Sequence, residues 1–218
     1  MKKQIKTILL LMGTSLILNI SCRKNDHPGS TCDQPATGGY NADVQNELAV
    51  KAGANVPASW YALAIQLSRT TPNQNVAPIT ARAFGYMGVA FYESVVPGLS
   101  KYQSIQKELN GLPALPKINC GDLYFYPAAA NAALANMVHH MFGNTYQSQN
   151  FTIDSLENSF NTMFGSLVPK NVLDRSTLFG QDISNAVYGW SVSDGGDQAY
   201  LNPYPTSYVP PAGPVYRK

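Results

Sequence analysis

The chain has 218 residues with 15 basic and 13 acidic side chains, and 44% of it is hydrophobic. That is ample apolar material for one core, and the near-neutral balance without basic clusters excludes nucleic acid as an expected partner. Three of the 15 basic residues (Lys2, Lys3 and Lys6) fall in the first 22, which leaves 12 against 13 acidic in the remainder, so the formal +2 says little about function.

In chain order, MKKQIKTILLLMGTSLILNISC joins a lysine-rich start to an apolar run from Ile8 to Leu18 and ends at Ser21-Cys22. This is the layout of a secretory signal peptide, and the run is short for a membrane span. A cysteine after a small residue at this place resembles the lipobox of bacterial lipoproteins, although Asn19 stands where leucine is usual. The reading favoured here is lipidation at Cys22, over an ordinary cleaved signal with a coincidental cysteine. It implies export, anchoring to a membrane through lipid, and a periplasmic or outer-membrane location. Residues 23–45, polar and rich in Gly, Pro, Ser and Thr, read as a flexible tether, and residues 46–218 as one helical domain.

Pro57 to Ser68 reads as a helix with Trp60, Leu63, Ala64 and Leu67 on one face. After a loop to Pro78 comes the longest apolar run of the body, Ile79 to Val96, stopped by Pro97-Gly98. Its small residues alternate with Phe84, Tyr86, Met87, Phe91 and Tyr92, the pattern of a central core helix. Only Arg82 and Glu93 in it are charged, and at 100° per residue they share one polar stripe. An irregular stretch to Tyr126 carries enough hydrophobic side chains to pack on the body.

An alanine-rich helix is expected from Pro127 to Gly143-Asn144. A fourth follows from Thr152 to Phe164, with Ile153, Leu156, Phe160, Met163 and Phe164 on its stripe. A last helix, capped by Asp174 or Ser176, runs to about Ser193 with Leu178, Phe179, Ile183, Ala186, Val187 and Trp190 inward, and Gly195-Gly196 end it. The proline-rich tail from Tyr200 reads as extended. Without an alternating pattern of any length, the fold class is all-α, a helical bundle.

These pieces, in their order, resemble the N-terminal half of the bacterial vanadium-dependent haloperoxidases, within the type 2 phosphatidic acid phosphatase superfamily. The resemblance rests on Ala81-Arg82-Ala83 through Met87, Ala90 and Tyr92-Glu93-Ser94, then on the alanine-rich helix. It continues with Gly180 to Asp194-Gly195 and with Tyr208-Val209-Pro210-Pro211 and Gly213-Pro214. It implies a helical scaffold and, for a complete protein, either peroxide-driven halide oxidation on bound vanadate or phosphate-ester hydrolysis through a phosphohistidine. The Lys/Arg pair, the Ser-Gly-His segment and the Arg-and-His segment that hold the oxyanion in that family are absent from these 218 residues. The chain is therefore expected to be an N-terminal fragment without cofactor of its own, with the missing half of the domain as partner and an apolar face left for it. A homodimer is left open. The alternative is a non-catalytic helical surface lipoprotein that binds glycan or protein, with Tyr200, Tyr204, Tyr208 and Tyr216 suited to sugar stacking.

No catalytic, cofactor-binding or metal-binding residue is assigned. His139 and His140 are adjacent on a helix and point about 100° apart, so a structural role is favoured over shared metal binding. Arg82 and Glu93 are read as a buried stripe in which the arginine pairs with a carboxylate from another helix, rather than as a site. Asp194 to Asp197 resembles a scrap of calcium loop, for which a helix stop is sufficient. Ser59, Ser94 and Ser191 lack the G-x-S-x-G elbow of a hydrolase. Cys32 and Cys120 are either a disulfide or a free and a buried thiol.

Overall fold

The structure is a computed structural model that describes residues 54–70, 77–99, 101–142, 147–197, 199–201, 207 and 209. The leader with Cys22, the tether with Cys32, Gly143-Asn144 and most of the aromatic tail lie outside the described residues. Within them the chain forms five α-helices and no strand: α1 (Asn55–Thr70), α2 (Ala77–Val95), α3 (Tyr126–Phe142), α4 (Gln147–Gly165) and α5 (Lys170–Ser193). The all-α bundle expected from the sequence is the observed fold. No described helix is long and apolar enough to cross a membrane.

The centre of the bundle is α3, and not α2 as the apolar run suggested. The other four helices all pack on α3. Fourteen of its side chains are buried, from Tyr126 through the alanines to Phe142. Alanine gives the helix a thin cross-section and strong helical preference, so four neighbours can close round it. Around α3 the ring runs α1, α2, α5, α4, with α2 against α5 and α4 against α5 and α1. Tyr61 of α1 stacks on Phe84 of α2 at 5.8 Å to complete it. As a ring member, α2 turns Pro78, Ala81, Arg82 and Gly85 to solvent while Ala83, Tyr86, Met87 and Ala90 are buried.

The α3–α5 contact is backbone-tight. A β-carbon at Gly180 would run into the carbonyl oxygen of Ala129, so only glycine lets α5 lie this close. On the opposite side, α3 meets α1 and α4 through a polar knot. The Trp60 indole N–H donates to Asn131 Oδ1 at 2.8 Å, and Asn131 Nδ2 donates to the Glu157 carbonyl and to Asn161 Oδ1. Trp60 and Asn131 are fully buried, and each has its hydrogen bonds made, as such groups require.

Three sequence expectations shift. The helix α5 starts at Lys170, a turn before the expected caps, because Pro169 initiates it with φ −56° and ψ 145°. Asp174 instead pairs with Lys170 one turn back. Ser176 sits inside the helix, where its hydroxyl donates to the Val172 carbonyl and accepts the Phe125 N–H. Likewise α4 begins at Gln147. Leu178 and Met163, placed on core stripes by their spacing, are 58% and 47% exposed. On each helix the neighbouring phenylalanine (Phe179 or Phe164) takes the inward position.

The irregular stretch does pack: Leu112, Ile118, Tyr124 and Phe125 are buried. Arg175 of α5 fastens it, donating to the Leu123 carbonyl at 2.8 Å and pairing with Asp122. Cys120 is exposed in this stretch and disulfide-bonded, which removes the buried-thiol alternative. Its partner lies outside the described residues. Large exposed apolar side chains are spread over α1 (Ile65), α4 (Phe151, Met163) and α5 (Leu178, Val192).

Candidate functional site

Arg82 stands one turn into α2, and Asp194 closes the C-terminus of α5, its N–H bonded to the Trp190 carbonyl while the Gly195 N–H takes that of Val192. The helix ends because Gly195 takes φ 75°, a left-handed conformation open to glycine at little cost. That turn aims the Asp194 carboxylate at α2. Tyr86 donates its hydroxyl to both carboxylate oxygens, at 2.6 and 2.8 Å. Arg82 Nη2 donates to Asp194 Oδ1, the Asp194 carbonyl and the Tyr86 oxygen at 2.9 to 3.1 Å. The Gly196 N–H adds a bond to Oδ1 at 3.0 Å. Gly196 is itself required here, since a β-carbon would strike the Tyr86 ring and hydroxyl.

The junction therefore has one cation, one anion and a phenol between them. Burial is the main cause that raises the Tyr86 pKa, and the bond to Asp194 adds to it. The Tyr86 bond is the main cause that raises the Arg82 pKa. Both changes keep the phenol protonated and the guanidinium charged, the states in which the hydrogen bonds hold. Trp190 meets the Tyr86 ring edge-on at 5.5 Å and donates to the Asn110 carbonyl, tying the stretch before α3 to the same corner.

The arginine does pair with a carboxylate from another helix. The expected burial is corrected, because the Arg82 and Asp194 side chains are 42% and 35% exposed. Glu93, on the same stripe, is 3% exposed. The two ends of one stripe differ because the Ser104–Gln106 stretch covers the Glu93 end, where Glu93 Oε1 accepts the Ile105 N–H at 2.8 Å. The calcium-like run at Asp194 is a helix stop, as its glycines implied, and its first aspartate is committed to Arg82.

His139 and His140 face different helices. His139 Nε2 lies 2.9 Å from Asp154 of α4. His140 stacks on Tyr188 of α5, ring centroids 3.6 Å apart. Burial lowers the His140 pKa and His139 lowers it further, against the opposing pull of Asp197. Burial raises that of Glu157. Asp197 Oδ1 is buried and has no hydrogen-bond partner among the described residues. Sequence reasoning missed Tyr188 and Asp197 as neighbours of the histidine, since nothing local signals a contact between α3 and the turn after α5. Ser94 and Ser191 bond back to carbonyls of their own helices, an ordinary helical role.

Among the described residues no group of three His, Cys, Asp or Glu is placed to hold a metal ion. Three of the described cations, Arg82, Arg175 and Lys170, each face a different carboxylate. In comparisons with protein families, curated proteins and solved structures, nothing matches this chain.

Proposed function

We propose that this bundle is the N-terminal helical scaffold of an exported lipoprotein related to the vanadium-dependent haloperoxidases and acid phosphatases. One observation carries the reading. Among the described motif pieces that suggested the family, two pairs that are far apart in sequence are in contact. Arg82 of the Ala-Arg-Ala motif binds Asp194 of the Asp-Gly end. Gly180, which opens the Gly-x-x-Ile piece, meets Ala129 of the alanine-rich helix. Residues within the pattern thus make contacts between helices, which supports a scaffold role.

In this reading the junction is structural. Its arginine has a carboxylate of its own and is not offered to an anion, and the anion-holding segments come from outside residues 1–218. The deciding experiment reads the DNA after the Lys218 codon and expresses what it encodes beside this chain. The expected result is a frame encoding the Lys/Arg, Ser-Gly-His and Arg-and-His segments. The pair should bind vanadate, followed by vanadium-51 NMR, and oxidise halide or cleave a phosphate ester, while the bundle alone leaves the vanadate resonance unchanged. Downstream DNA encoding none of these segments, or a co-expressed pair with neither binding nor turnover, overturns the reading.

A further inference from the structure

The Glu93 end of α2 borders a cavity of about 80 Å³, several times what one water molecule needs. Pro97, Leu115, Ile118 and Ile183 give it apolar walls, Ser104 and Gln106 add polar groups, and the exposed Lys117 also lines it. Glu93 is the anchor. Its side chain is buried, one oxygen accepts the Ile105 N–H, and none of the ion pairs among the described residues includes it. Among the described residues this largely buried carboxylate has one hydrogen bond and no salt bridge, and a cation entering the cavity would offset the cost of its burial.

We propose that this cavity is a binding site for a small organic ammonium compound. Its N–H groups meet the Glu93 carboxylate, and its alkyl part lies on the proline and aliphatic walls. The lining argues against the alternatives. Calcium takes six to eight oxygen ligands, and this cavity offers one carboxylate, one hydroxyl and one side-chain amide. Glu93, the buried charge of the lining, repels an anion more than the solvated Lys117 attracts it, and a neutral alcohol gains nothing from the Glu93 charge. The inference is independent of the scaffold reading, because it concerns no oxyanion and no second chain.

The test uses the full chain, isotope-labelled, titrated with n-butylammonium and, separately, with n-butanol. The expected result is saturable movement of the Ile105, Lys117 and Ile118 amide signals with the amine and not with the alcohol. Glu93→Gln keeps an acceptor for the Ile105 N–H and should weaken amine binding roughly tenfold or more, as loss of a charged hydrogen-bond partner does. Leu115→Trp, which fills the cavity from its wall, should abolish it. No saturable shift, equal response to the alcohol, or unchanged affinity in Glu93→Gln overturns the proposal. So does binding seen only in Lys117→Met, which would make the chain's own lysine the cation that fills the cavity.

Discussion

The centre of this bundle and its corner are held together in opposite ways. At the centre, α3 touches α5 through backbone, with glycine and alanine leaving nothing to adjust. At the corner, α2 is joined to the end of α5 by long polar side chains that are partly in water. Backbone contact tolerates no added volume, because nothing flexible can move aside. A half-exposed ion pair tolerates substitution, because water replaces much of what is lost. The bundle is therefore rigid about α3, whereas the corner is forgiving at its ion pair and as strict as the centre only at Gly196.

The sharpest way to break that contrast is Gly180→Val. Its β-carbon meets the Ala129 carbonyl, so urea denaturation should show a loss of about 3 kcal/mol or more, at the upper end for overpacking. A fully stable variant would mean that α5 can slide on α3. Next, Asn131→Leu keeps side-chain volume and strands the Trp60 N–H in the core. A loss of about 2 kcal/mol is expected, the cost of an unsatisfied buried donor, and an unchanged Trp60 side-chain environment by fluorescence would contradict it. At the corner, Asp194→Ala removes the acceptor for Tyr86 and Arg82, and about 1 kcal/mol is expected given its exposure. A loss as large as that of Gly180→Val would erase the distinction between the two regions.

The smallest effect concerns pH. The His140 pKa is lowered in the fold, mainly by burial. A lowered histidine pKa means that the unfolded chain binds more protons between the two values. The stability it contributes is complete above the unfolded value of about 6.5 and is lost as pH falls through the folded one. Glu157, raised by burial, acts in the opposite sense, losing its contribution as pH climbs above the ordinary carboxylate range. His140→Phe keeps the stack on Tyr188 and should flatten the stability profile below pH 6.5 relative to the parent. Identical profiles would show that burial against Tyr188 does not alter the ring's protonation.

Much of the fold was legible in the sequence for simple reasons. Trp60, Leu63, Ala64 and Leu67 announce the inner face of α1 by spacing, and prolines and glycines mark most helix ends. What spacing could not rank was which helix lies innermost. Ile79 to Val96 has the larger side chains, yet α3 is inside because its side chains are small, and size matters only once neighbours are present. The same limit explains Leu178 and Met163, each beside a phenylalanine that fits the inward position. At the corner, the need of Arg82 for a carboxylate was readable, and its identity was not, since Asp194 lies 112 residues away. The burial of Glu93 depends on the Ser104–Gln106 stretch, which has no periodicity to read.

Ser176 has a consequence for how the molecule opens. Its single hydroxyl accepts the amide that precedes α3 while donating to a carbonyl within α5. The first turn of the central helix therefore has no fraying of its own: releasing the Phe125 amide disturbs the early part of α5 as well. Amide exchange at Phe125 should follow the slow, cooperative opening of the α3–α5 pair rather than the fast breathing usual at a helix start. The N-terminus of α3, the place where a bundle ordinarily begins to loosen, is here fastened to its interior.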